Sequence, residues 1–159
     1  MAVTDAVLGI DIGTTGTKAL VLDNKCNIIS SGYYEYELIT SSGGVVEQNA
    51  DDWIDGIIKS VNEALSKIEN YKIHAISLST QGASMAIIDD KNKPLSNVIT
   101  WMDSRCTVES DILNDKFGFD VLYRKTGYRT NVSSDSAKIL WLQKHQPELI
   151  NKTYKYIST

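Results

Sequence analysis

The chain has 159 residues, 42% of them hydrophobic, with a formal net charge of −4 at pH 7 and a pI near 5.1. That is enough apolar material for one domain with a real core, and it excludes a general nucleic-acid or anionic-membrane surface, which needs clustered Lys and Arg. Cys26 and Cys106 lack the close spacing of metal or redox motifs, and His74 and His145 are too few for a His-based zinc site, so reduced structural cysteines are expected.

An apolar run at residues 7–10 delivers Asp11 to a polar turn made of Gly13, Thr14, Thr15, Gly16 and Thr17. Residues 18–22 leave that turn as a second strand, which ends in the turn signal Asp23-Asn24-Lys25. Glycines let backbone take positive φ and approach a ligand closely, and successive amides and hydroxyls can form a concave donor site for phosphate oxygens. Asp11 beside it can hold a small hard cation, directly or through water. Two better-known phosphate loops do not fit. The P-loop needs G-x-x-x-x-G-K-[ST], but Thr14 stands five places after Gly9 and Ala19 follows Lys18; the G-x-G-x-x-G turn opens a helix, whereas a β-rich run follows here. The site reads as a hairpin turn.

Residues 28–38 alternate between Tyr34, Tyr36, Leu38 and Tyr33, Glu35, Glu37, which predicts a third antiparallel strand, followed by a flexible loop at 40–44. Asn49 as N-cap and Asp51, Asp52 and Asp55 near the start predict a helix over 51–67, with Trp53, Ile57, Val61, Ala64, Leu65 and Ile68 on its core face. Residues 73–79 form a compact apolar run, expected as a central strand parallel to the first. Residues 85–88 and 97–101 bracket a turn at 89–93 with Pro94 at its shoulder, which predicts a hairpin. Helices are expected at 108–117, 121–125 and 136–145. Beyond Pro147 a short helical turn leads to a strand at 154–157, an ending that suggests a truncated chain. Residues 1–6 lack the basic and apolar regions of a signal peptide, and no apolar run approaches membrane-spanning length, so a cytoplasmic location is expected.

The motif Asp11-x-Gly13-Thr14-Thr15-x-x-Lys18 resembles the first phosphate motif of the FGGY family of sugar kinases, which belongs to the actin, hexokinase and heat-shock chaperone superfamily. The resemblance implies a ribonuclease H-like α/β domain with a mixed sheet, three antiparallel strands then helix and strand, here incomplete. It also implies ATP and Mg²⁺ as cofactors, with Asp11, Gly13, Thr14, Thr15, Gly16 and Lys18 at the nucleotide and Asp11 at the metal. Three further stretches match in the family's order. Gln81 in the loop Ser79-Thr80-Gln81-Gly82-Ala83-Ser84 matches a sugar-contacting glutamine, although Gly82 and Ala83 replace the large polar residues of relatives and offer backbone and space only.

Trp101-Met102-Asp103-Ser104-Arg105 resembles the family's W-x-D-x-R segment. A planar ring can cover a sugar's apolar face, a carboxylate can accept two hydroxyls, and an arginine can lock that carboxylate. Residues 133–145 nearly reproduce a family signature with Lys138, Trp141 and Lys144-His145 in register, and with Asp135 where the pattern wants Pro, Ser or Thr; they read as structural support for the pocket. Glu47 and Gln48 stand where relatives often have acidic or amide residues, so a substrate contact there is open.

The family places its general-base aspartate, second phosphate motif, adenosine motif and second domain later in the chain. The resemblance therefore implies the N-terminal part of a sugar kinase, catalytically inactive alone. A ketopentose such as xylulose is the favoured acceptor, with gluconate or another sugar acid as the main competitor. A non-catalytic, actin-like nucleotide-binding or sugar-sensing module is the alternative class, distinguished by the Trp101, Asp103 and Arg105 trio. The expected partners are sugar, ATP and the missing C-terminal domain; a homodimer stays open.

Overall fold

The computed structural model describes residues 3–159; Met1 and Ala2, on which the reading of the N-terminus partly rests, lie outside the described residues. The chain divides into two compact units, residues 1–37 with 51–81, and residues 38–50 with 82–159.

The first unit is built on a four-stranded mixed sheet. β1 (Thr4–Ile12), β2 (Gly16–Asp23) and β3 (Ile28–Glu35) form an antiparallel meander, α1 (Ala50–Ser66) crosses over, and β6 (Tyr71–Thr80) returns parallel to β1, giving the order β3-β2-β1-β6. Alternation puts Ala6, Leu8, Ile10, Ala19 and Val21 on one face, where Ala64 of α1 and the half-buried Ile57, Val61 and Ile68 close over them. Asp51 and Asp52 sit in the first turn of α1, as the dipole favours. Of the expected helical stripe, Leu65 alone lies on the exposed side. The helix approaches β3 closely: a Cβ built on Gly32 would lie 2.0 Å from the Ser60 carbonyl oxygen. Ser30 Oγ donates to the Ala64 carbonyl at 2.6 Å, so α1 is fastened to the sheet as well as packed on it.

Two expectations are corrected here. β3 ends at Glu35, not Leu38, because its partner β2 begins at Gly16, the residue opposite Glu35, and no ladder remains for the next residues. β6 is parallel to β1 as expected but is the outermost strand, not a central one. Ile76 and Leu78 lie opposite Leu8 and Ile10, on the core face, yet they are 64% and 62% exposed because no helix among the described residues covers them. A continuous apolar run says that a strand can be buried on both faces; it does not say which residues bury it.

The second unit carries a five-stranded sheet in the order β4-β5-β8-β7-β9, from β4 (Ile39–Ser41), β5 (Val45–Gln48), β7 (Met85–Ile88), β8 (Val98–Ile99) and β9 (Lys155–Ser158). The loop expected at 40–44 shrinks to a turn between β4 and β5, with Gly43 and Gly44 at positive φ. The 85–101 hairpin is looser than expected, with Met85 and Ile99 the pair joining β7 to β8, while β7 takes its full ladder from β9. α2 (Thr107–Phe117), α3 (Phe119–Thr126), α4 (Asp135–His145) and α5 (Pro147–Lys152) complete this unit. Met85, Ile87, Ile99 and Leu142 form its core, flanked by Ile139, Trp141, Leu149 and Ile150.

Candidate functional site

In the first unit the turn after β1 is a tight bend clasped by Tyr36, the residue just past the end of β3. Gly13 N donates to the Gly16 carbonyl at 3.0 Å and Tyr36 N donates to the Thr15 carbonyl at 3.2 Å. The Tyr36 hydroxyl donates to the Gly13 carbonyl, and burial is the main reason its phenol is pushed above the ordinary value. The reason for glycine here differs from the expectation. Neither Gly13 nor Gly16 has a positive φ. A Cβ on Gly16 would instead lie 2.5 Å from the Tyr34 carbonyl oxygen and 2.6 Å from the Tyr33 hydroxyl, so space, not φ, demands glycine.

Asp11 lies directly across from Lys18 on β2 and from Ser79 on β6. Cross-strand partners share a face, so these three side chains stand together, bordering a concavity of about 190 Å³ that Gly9 and Ser77 also line. Asp11, Thr15 and Lys18 are exposed, and Thr14 is half-buried. Thr14 Oγ1 donates to Gln81 Oε1 at 3.2 Å, and Gln81 N donates to the Ile12 carbonyl at 2.9 Å. The turn and the loop at the end of β6 are thus one hydrogen-bonded edge, joined across 67 residues of sequence.

The second unit holds the other expected residues. Gly82 and Ala83 both take left-handed backbone, with φ of 68° and 48°. A side chain with a Cβ adopts that region at a cost of roughly 1–2 kcal/mol, and the Ala83 carbonyl is held in place by the Lys138 ammonium. Lys138 is wholly buried and also donates to the Ile99 carbonyl at 3.2 Å. Burial is the main reason its basicity falls below the ordinary value, with nearby carboxylates acting in the opposite direction.

Asp103 and Arg105 form a closed knot. Asp103 is 1% exposed. Its Oδ2 accepts from Val46 N at 2.8 Å and from Arg105 Nη2 at 2.6 Å, while Oδ1 accepts from Arg105 N at 3.0 Å and Nε at 2.9 Å. Arg105 Nη2 also donates to Glu47 Oε1 at 2.6 Å, and its guanidinium lies over the Trp141 ring at 5.1 Å. Burial opposes the Arg105 charge, but its hydrogen bonds to Asp103 and Glu47 outweigh it and hold the group above its ordinary range. The carboxylate expected to meet sugar hydroxyls therefore spends its oxygens on Arg105 and the β5 backbone, and Glu47 joins the same knot instead of standing free for substrate. Trp101, two residues earlier, keeps 44% of its surface exposed, and Ser133 Oγ donates to its carbonyl at 2.6 Å.

Next to these residues the sequence reading missed a cavity of about 420 Å³, bounded by Ala83 and the start of α4. Seven of its nine lining residues carry a hydroxyl, among them Thr130, Ser133, Ser134 and Ser136, and Asp135 is its one charged group. The run Ser133-Ser134-Asp135-Ser136 was the available signal. The apolar residues after it dominate the pattern and point to structural support instead. His74 and His145 are surface groups, the first 2.6 Å from Asp5 and the second stacked on Trp141.

The family described as the FGGY family of carbohydrate kinases, N-terminal domain, matches residues 6–159. The chain belongs to that family. The match spans both units. Among curated FGGY relatives, a xylulose kinase of Bacillus subtilis is 31% identical over 95% of this chain and 30% of its own length, and a gluconokinase of Bacillus licheniformis is 31% identical over 97% and 30%. A crystal structure of gluconate kinase from Lactobacillus acidophilus superimposes with a TM-score of 0.90 at 28% identity, over 97% of this chain and 31% of that one. The chain thus spans about 30% of the length of the relatives it matches, and its fold is the actin-like α/β fold of FGGY kinases.

Proposed function

We propose that the protein to which this chain belongs is a cytoplasmic, ATP-dependent kinase that transfers phosphate to a sugar hydroxyl, with a ketopentose such as xylulose as acceptor. The observation that carries this reading is the Thr14–Gln81 hydrogen bond, which joins a phosphate-type turn to a substrate-type loop in one edge.

In this reading ATP would supply the transferred phosphoryl group, and a magnesium ion, when bound, would offset the charge on its oxygens. Asp11 would hold the ion, directly or through water. Among the described residues no three His, Cys, Asp or Glu side chains gather into a cage. A lone exposed carboxylate suits a small cation that arrives with phosphates and waters of its own. The turn residues Gly13, Thr14, Thr15 and Gly16 border the phosphates, and Lys18, opposite Asp11, adds a positive charge. Gln81 of the first unit would contact the sugar, as would Gly82, Ala83 and the exposed ring of Trp101 in the second. Asp103 and Arg105 position Trp101 from within the knot. In this reading the group that deprotonates the acceptor lies outside the 30% of a relative's length that this chain spans, and the chain alone is expected to be inactive.

The equal identity to a gluconokinase supports a second reading, a sugar-acid acceptor. A coupled ADP-release assay, run with xylulose and with gluconate, is expected to show no turnover by this chain; turnover with either overturns the inactivity. Titration of the ¹⁵N-labelled chain with MgATP is expected to move the amides of residues 11–18 and Gln81. No movement there, with an intact spectrum, removes the nucleotide site and leaves a scaffold or sugar-sensing module.

A further inference from the structure

The hydroxyl-lined cavity in the second unit contains information about charge that the kinase reading does not use. Asp135 is its only ionisable lining group apart from the phenol of Tyr128, and it opens α4 immediately after Ser134. A helix start attracts anions through its unpaired amides and dipole. Here the chain's own carboxylate, Asp135, already stands in the first turn. The nearest cation is Lys138, with 3.9 Å between its Nζ and Asp135 Oδ1, and Oδ1 is buried without a hydrogen bond. Lys138 cannot serve a visitor: its side chain has no exposed surface and its ammonium is committed to the Ala83 and Ile99 carbonyls. The other buried cation of this unit, Arg105, is committed to Asp103 and Glu47. An acid entering the cavity would bring a second negative charge beside Asp135 and find no free cation among the lining residues.

We infer that Asp135 makes this cavity a site for a neutral polyhydroxylated ligand and against sugar acids. The inference rests on the reading of the protein as a sugar kinase and chooses between its two acceptor classes. Of the seven hydroxyls, Thr126 and Ser133 already donate to backbone carbonyls and Ser134 accepts from the Asn131 amide, while Thr130, Ser136 and Ser158 offer donors and acceptors to a neutral sugar, and about 420 Å³ accommodates one with its bound waters. Asp135 acts as the discriminator by repulsion, an element that selects by excluding the wrong ligand.

The test uses ¹⁵N-labelled chain, small enough for amide titrations that register millimolar affinities, with D-xylulose, D-xylonate and D-gluconate as probes. D-xylulose is expected to shift the amides of Ala83 and residues 133–136, and both acids to bind there at least about tenfold more weakly, the scale of one like-charge contact. Asp135→Asn and Asp135→Ser are expected to narrow that gap to within about threefold. An acid that binds the original chain as well as D-xylulose does overturns the inference and leaves a sugar-acid kinase standing. An unchanged gap in folded variants overturns the role of Asp135 alone. No shift at these amides with any probe overturns the inference together with the placement of a sugar here. Should both variants lose their dispersed spectra, the comparison of the three probes on the original chain decides.

Discussion

The turn at Asp11 and the knot at Asp103 both bring a carboxylate next to a cation, and they do opposite things with it. Asp11 and Lys18 face each other across a ladder pair with both side chains exposed. Asp103 and Arg105 are sealed, with every oxygen and most nitrogens engaged. The first arrangement leaves charge available to a ligand. The second uses charge as a fastener, since a buried pair that loses one partner strands the other without water. Similar residue types at a binding surface and in a frame are told apart by burial, and only the exposed pair can exchange its partner for a ligand.

The largest expected effect breaks the frame. Asp103→Ala leaves Arg105 buried with Glu47 as its remaining carboxylate partner and the Val46 amide without an acceptor, and should cost about 3–5 kcal/mol in urea unfolding. Asp11→Ala should cost less than about 0.5 kcal/mol in the same assay. Equal losses for the two would erase the distinction. Next comes Gly32→Ala, which forces a Cβ against Ser60 backbone and should cost roughly 1–3 kcal/mol. It tests whether the first unit rests on close helix–strand approach as the second rests on ion pairing. Ala83→Gly should raise stability by up to about 1 kcal/mol by relieving a left-handed alanine.

The smallest effect concerns the thiols. Burial pushes Cys106 up to about 12, while Cys26 is exposed. A thiol whose folded value lies above its ordinary 9.0 stays protonated through neutral and mildly alkaline pH, and the stability this represents is lost only as pH rises from about 9 toward 12. At pH 8 a thiol reagent should label Cys26 at once and Cys106 only on unfolding. Rapid labelling of both would show that the second unit opens readily.

The meander β1–β2–β3 and α1 were legible because their patterns are local: alternation, a turn of small polar residues, an acidic helix start. The turn between β1 and β2 was legible for the same reason. What escaped depends on partners distant in sequence. Nothing around Asp103 reveals that Val46 and Glu47, more than fifty residues earlier, will close over the Asp103–Arg105 pair. The edge position of β6 escaped because hydrophobicity records a strand's capacity for burial and not its neighbours. The glycines of the turn were placed correctly but for a different cause, since only the folded chain shows Tyr33 and Tyr34 pressing on Gly16.

Lys138 has a last consequence for handling the molecule. Its lowered basicity would make it a ready nucleophile toward acylating reagents, but the fold gives those reagents no path to it. Mass spectrometry of briefly acetylated chain therefore gives a clock: the fraction modified at Lys138 counts how often the second unit breathes open, one event at a time.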